Sequence, residues 1–415
     1  MIARRVPGSG GASNPDTHTR WRMLALLATA ELLGMATWFT GSAVANALAA
    51  RWALGESEAG WLATAVQVGF VAGTAMAALL NLADTVPSRT YFASGAILAG
   101  VFNALLLAAP SFAAAIVLRF LTGAALAAVY PPAMKMIATW FADRRGIAIG
   151  TIVGALTAGK ALPYLIQSMP DASVSSVLGS ASIGAIVSAL LVLLFYRDGP
   201  VPFPRRAFSW SLAGNLLRSR EYRLVLTGYC GHMWELYSYW VWIPAFLAAS
   251  LVGSGVTANT ISVLAFFSIA VGAIGCLWGG IVADRIGYAR LVMVSMAVSG
   301  TCALFIPFAF GRSLAFVAPL VLLWGISVIA DSAQFSTLVT KVVEPHAVGT
   351  ALTLQTSVGF LLTTISIQLV PPLVNVVGWQ WAFPMLALGP ALGIIAMRKL
   401  VATRHDGGNP SAAIA

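Results

Sequence analysis

"GGIVADRIGYAR" (residues 279–290) ends one apolar run and begins the next, and a fainter counterpart, "LADTVPSR" (82–89), stands two hundred positions earlier. In the later copy Gly279 and Gly280 let neighbouring backbones approach, and the charged cluster Asp284, Arg285 and Arg290 follows at once. A second echo pairs "RGIAIG" (145–150) with "VGTALT" (348–353) at a similar offset. Two echoes at one spacing point to a duplicated unit. The longest polar interruption, rich in Pro and Arg, falls between the copies. The expected organisation is therefore a unit at 21–197, a cytoplasmic linker at 198–221 and a second unit at 222–402. The tails 1–20 and 403–415 lie outside, and the first is expected to be disordered because it is polar and rich in Gly and Ser.

Composition says what each unit is built from. Of 415 residues, 59% are hydrophobic and 9% charged, with mean hydropathy +0.86. Soluble domains run near ~25% charged. A bilayer-crossing helix needs about 20 apolar residues, and twelve such stretches can be read: 22–47, 58–80, 90–109, 112–136, 145–168, 173–196, 223–250, 257–282, 288–309, 313–339, 347–371 and 377–398. The expected fold is an all-α membrane protein of twelve transmembrane helices in two pseudo-symmetric six-helix bundles. The net charge of +10 reflects orientation rather than a nucleic-acid partner. Of 24 Lys and Arg, 20 fall in the tails and alternate loops, which places both termini in the cytoplasm. "ANALAA" (45–50) looks like a cleavage site, but the preceding stretch is too long and contains Glu31, so it reads as an uncleaved first helix. Cys230, Cys276 and Cys302 fall inside spans as packing residues and give no disulfide or metal framework.

Five ionisable groups besides histidine lie well inside the spans: Glu31, Arg119, Lys160, Glu235 and Asp331. Each costs about 2.5–3.5 kcal/mol at a helix centre unless compensated. Helical spacing sets them on polar stripes: Glu31 with Trp38 on the first helix, Thr157, Lys160 and Tyr164 on the fifth, His232, Glu235 and Tyr239 on the seventh, and Trp324, Asp331 and Gln334 on the tenth. The expectation is a lined cavity. Its substrate-binding candidates are Lys160, Arg119, Trp38, Thr157, Tyr164, Tyr239, Trp324 and Gln334, and its proton-coupling candidates are Glu31, Glu235, Asp331 and His232. Glu31 and Arg119 sit at comparable depth and are expected to pair, either as a structural ion pair or as a carboxylate alternating between proton and arginine. Lys160 has three readings: binding an anionic substrate, neutralising Asp331 or Glu235, or snorkelling to the periplasmic face.

These features resemble the major facilitator superfamily. Residues 279–290 match its loop signature, a Gly followed by Asp-Arg-x-Gly-x-x-Arg, almost position for position. The first-half copy keeps Asp84 and Arg89 but has Pro87 in place of the glycine. "RFLTG" (119–123) is similar to the superfamily's fourth-helix motif around a membrane-embedded arginine, and Gly150, Gly159 and Pro163 resemble part of its exporters' fifth-helix motif. In the latter, Pro163 stands where a glycine is expected. The resemblance implies helices 1, 4, 7 and 10 around a central cavity, and a functional monomer. It also implies a conformational latch at Gly280, Asp284, Arg285, Arg290, Asp84 and Arg89, where the residues alone allow a static clamp instead.

The expected function is secondary active transport of a small solute, a small organic or inorganic anion by preference, across the cytoplasmic (inner) membrane by proton-coupled alternating access. The alternative is proton-driven export of an amphiphilic compound; remoter ones are a non-transporting sensor and a membrane enzyme. No GxxxxGK[ST] loop for ATP occurs, and His18, His346 and His405 are scattered rather than clustered, so no enzyme and no cofactor is expected.

Overall fold

The structure, a computed structural model, describes residues 17–141, 144–200 and 209–406, and the side chains within them except those of Thr17, Ala83, Asp84, Arg145, Trp210 and residues 404–406. Helix dominates, and no strand occurs among the described residues. This follows from the solvent: hydrocarbon offers backbone amides no partners, so each span satisfies them internally. Nine stretches among the described residues are long and apolar enough to cross a bilayer. The last, 348–403, is long enough for two passes and turns at Gly378, whose φ of 75° suits glycine. Adding the more polar first and seventh helices makes the element order consistent with the expected twelve.

In chain order, the first helix is Thr17–Met35, resumed after a break as Thr40–Ala43 and Ala45–Trp52. The second is Glu56–Leu79, the third Ser88–Leu105, and the fourth Phe112–Leu126 with Tyr130–Ala138. The fifth is Arg145–Gln167 and the sixth Val174–Phe195. The seventh is Arg220–Ser250 and the eighth Ala258–Ala270 with Gly272–Ile286. The ninth is Tyr288–Ala309 and the tenth Leu314–Ala330 with Ser332–Val342. The eleventh and twelfth share Val348–Ala382, Phe383–Ala387 and Leu388–Asp406. The structure refines the expected spans. The first span is broken at residues 36–39, the tenth breaks at Asp331, and the linker contains a short helix, Trp210–Arg218. Residues 17–20, expected in the disordered tail, are helical, and so are residues 403–406; residues 1–16 and 407–415 lie outside the described part.

Small residues set the closest helix contacts. Gly123 on the fourth helix lies against the Val66 carbonyl and Gly69 on the second against that of Phe120, so a Cβ on either would collide with backbone. The two halves meet along the fifth and eighth helices and along the second and eleventh. At the first seam a Cβ added to Gly146 would sit 3.2 Å from the Gly280 carbonyl. Gly280 of the loop signature thus belongs to the seam between the halves. At the second seam the Gln368 amide donates to Thr64 Oγ1 over 2.9 Å. Outward-facing Leu194, Phe308 and Phe316 are well exposed, as lipid-facing side chains are.

Two cavities enter from opposite ends. One, of 280 Å³, is lined by Thr74, Asn81, Lys135, Leu352 and Thr356; the other, of 250 Å³, by Ser42, Glu56, Tyr164, Gln167 and Trp242. They share no lining residue.

Candidate functional site: a caged lysine between the halves

Lys160 lies on the fifth helix, 1% exposed, so it does not snorkel. Its Nζ is 3.7 Å from the ring centre of Trp38, 4.7 Å from that of Tyr237 and 5.3 Å from that of Trp240. One proton goes to Tyr237 Oη at 2.6 Å. Trp38 comes from the first half and Tyr237 and Trp240 from the second, so the ammonium is held where the bundles meet. Phe70 and Phe360 continue the wall: they lie 4.8 Å apart, and Trp38 is 5.1 Å from Phe70 and 5.9 Å from Phe360. Tyr237 closes the ring against Phe360 at 5.1 Å.

This cage under-compensates the charge. Cation–π contact is worth about 2 kcal/mol when desolvated, and one hydrogen bond to a charged donor about 1.5–3. Burying an ammonium costs several kcal/mol even after relaxation. No carboxylate touches Lys160 among the described residues. Glu31 acts on it electrostatically from the neighbouring first helix without forming an ion pair. Glu31 itself is fully buried, and neither of its carboxylate oxygens has a hydrogen-bond partner among the described residues. Trp38 Nε1, Trp240 Nε1 and both amide atoms of Gln67, one turn before Phe70, are likewise buried and unpartnered. Buried polar atoms without partners are rare in native proteins. Here two of them, Trp38 Nε1 and Trp240 Nε1, belong to rings that face one cation.

Arg119 contrasts with this, and the expected pair with Glu31 does not form. Its Nε donates to the Leu62 carbonyl (3.2 Å), and Nη1 to the Thr37 carbonyl (3.0 Å), Thr40 Oγ1 (3.0 Å) and Asn103 Oδ1 (3.2 Å); Nη2 donates to the Trp38 carbonyl. The carbonyls of Thr37 and Trp38 lie at the break in the first helix, where the i→i−4 ladder is interrupted. A planar fork of five donors suits this cluster of acceptors, which a carboxylate would not need. Arg119 clamps the broken helix.

The C-terminal half carries a separate polar knot. Glu235 accepts from Ser299 Oγ at 2.7 Å and Trp324 Nε1 at 2.8 Å. His232 Nδ1 lies 2.9 Å from Asp331 Oδ1, so neither acid neutralises Lys160. Tyr239 packs at a tilt against Trp324 at 4.5 Å and donates to the Val321 carbonyl at 2.7 Å. The predicted stripe on the seventh helix thus faces the interior of its own half. The face toward Lys160 is that of Tyr237 and Trp240. Thr157 Oγ1 is spent on the Val153 carbonyl, Tyr164 lines one cavity, and Gln334 is buried on the tenth helix after its break.

Of the predicted latch, Asp284 is exposed and accepts from Tyr288 Oη at 2.6 Å rather than from Arg285 or Arg290. Gly287 takes φ 92°, while its counterpart Pro87 takes −54° and begins the next helix, which explains why the first copy tolerates proline. Arg89 is exposed, and the Asp84 side chain lies outside the described residues. Sequence reasoning missed Tyr237, Trp240, Phe70, Phe360, Gln67 and Asn103; only the lone polar Gln67 and Asn103 in apolar runs offered a signal.

The sequence profile of the Major Facilitator Superfamily matches residues 26–367. The chain belongs to the major facilitator superfamily. It is 29% identical over 170 residues to the MFS-type transporter pytF of Aspergillus terreus, a match covering 40% of this chain and 56% of that protein. Matched sequence thus spans little more than half the length of that curated relative. The chain is accordingly a multi-pass membrane protein of that superfamily, and the buried lysine lies where its two halves meet.

Proposed function

We propose that this protein is a secondary active transporter that carries a small anion across the cytoplasmic membrane by alternating access, with Lys160 as the counter-charge. One observation supports the reading above others: Lys160 is buried at the seam of the halves with no carboxylate in contact among the described residues. A site that stabilises its own cation this poorly gains by taking an anion. The cavities at either end supply approach routes, and the ring of Trp38, Phe70, Tyr237 and Phe360 is the barrier between them.

Glu31 is the coupling group in this reading. Ionised, it repels an incoming anion and attracts Lys160; protonated, it does neither, so anion and proton travel together. Both termini are cytoplasmic and the working unit is a monomer. The basic loops bind no nucleic acid. The amphiphile-export alternative draws on the same aromatic wall, which would also accept a lipophilic cation beside ionised Glu31.

Uptake of radiolabelled anions into proteoliposomes under an inward proton gradient tests the proposal. Wild type is expected to accumulate a monovalent anion and Lys160→Ala to lose at least about tenfold in apparent affinity, as loss of a charged hydrogen bond implies. Accumulation of lipophilic cations driven by the opposite gradient, with Lys160→Ala unimpaired, would overturn it in favour of export.

A further inference from the structure

The chemistry around Lys160 narrows the anion, given the transport reading above. Two of the rings that face the ammonium carry buried, unpartnered donors, the indole N–H of Trp38 and that of Trp240, and Glu31, protonated when the anion enters in the transport reading, adds an O–H donor rather than an acceptor. Lys160 Nζ adds N–H groups beyond the one given to Tyr237. A donor-only set matches an acceptor-only ligand, and a carboxylate is one. Charge sets the valence. Arg119 has spent its donors on the first-helix break and its neighbours, so among the described residues Lys160 is the cation at this seam left to meet a ligand. One cation neutralises one negative charge, and a dianion would arrive with an uncompensated charge in a dry site.

The remainder of the wall is aromatic. Trp38, Phe70, Phe360, Tyr237 and Trp240 make contacts of 4.8–6.1 Å centre to centre, with tilted or edge-on geometry. Such rings pack best against another ring, and stacking adds to plain apolar burial. In this closed arrangement the rings cover one another; when the halves part to admit a ligand, rings of opposite halves lose each other, and a small inorganic anion would leave those faces uncovered. We propose that the site takes an aromatic monocarboxylate, its carboxylate on Lys160 and the two indole N–H groups and its ring among Phe70, Phe360 and Trp38.

Titration calorimetry on the purified protein, with benzoate, acetate, phthalate and benzylamine as probes, tests this. Benzoate is expected to bind at least about tenfold tighter than acetate, the scale that one good ring contact plus burial supplies. Phthalate and benzylamine are expected to bind more weakly than benzoate. Phe360→Ala is expected to reduce the benzoate-to-acetate ratio below about threefold.

Equal affinity for acetate and benzoate would overturn the aromatic assignment while leaving anion transport standing. Tighter phthalate would overturn the monoanion argument. Binding of benzylamine with no anion bound would overturn both readings together. The wild-type comparison of probes needs no variant, so a misfolded mutant cannot hide the answer.

Discussion

Two buried cations, Arg119 and Lys160, carry the same charge and the same near-zero exposure, yet their surroundings differ completely. Arg119 is saturated by the carbonyls of Leu62, Thr37 and Trp38 and by Thr40 and Asn103. Lys160 has one conventional acceptor and three aromatic faces. The difference separates a complete set of hydrogen bonds from an incomplete one. A group whose hydrogen bonds are complete holds something in place. A group left incomplete where the two halves meet is, under the proposed transport cycle, the one left for a ligand.

The largest expected effect tests that division directly. Arg119→Ala leaves a cluster of buried acceptors without a donor and unclamps the first-helix break, so a loss of about 3–5 kcal/mol is expected. Arg119→Lys should rescue little, because a point charge cannot serve acceptors spread over the planar fork. Lys160→Met should do the reverse: stability unchanged or higher by roughly 1 kcal/mol, since an under-compensated buried charge is replaced by an apolar chain of similar length. Thermal or urea unfolding of both variants in one detergent checks the contrast. Equal destabilisation by the two would break it.

The expectation that reads worst from sequence, and why, follows from the same pair. The all-helical membrane fold and the positions of the buried charges were legible, because twenty-residue apolar runs and lone charges within them are local properties. Partner choice was not legible. The Glu31–Arg119 pair looked sound from depth alone, but it assumed an unbroken first helix. The break at 36–39 frees carbonyls that compete for the guanidinium, and nothing in "GMATWFT" (34–40) announces it. On the seventh helix, helical spacing correctly joined His232, Glu235 and Tyr239 into one stripe but could not say which way it faced. Tyr237 lies two residues on from Glu235, about 200° round the helix, and there it meets Lys160.

The C-terminal knot gives the middle-sized test. Glu235 resembles Arg119 in being satisfied, with Ser299 and Trp324 both donating to it. Glu235→Ala removes the acceptor from two buried donors and is expected to cost about 1.5–3 kcal/mol, measured by unfolding, with the benzoate-to-acetate preference unchanged. A preference that shifted with Glu235 would mean that the knot reaches the substrate after all.

Glu31→Gln should have the smallest effect on stability and the most specific effect on function. Neither carboxylate oxygen accepts a hydrogen bond among the described residues, so an isosteric amide loses none and the stability change should stay within about 0.5 kcal/mol. Gln carries no titrating proton, however, and it no longer acts on Lys160 as a charge. If Glu31 couples the proton to the anion, this variant should bind benzoate at least as well as wild type. It should exchange anion for anion across the membrane, yet fail to accumulate it against a gradient, and its uptake should respond less to pH. Counterflow measured beside gradient-driven uptake separates these outcomes. Retained accumulation would move the coupling role to His232 and Asp331, the other buried titratable contact between two helices. Glu31 would then be a fixed countercharge, and Lys160 would belong with Arg119 rather than opposite it.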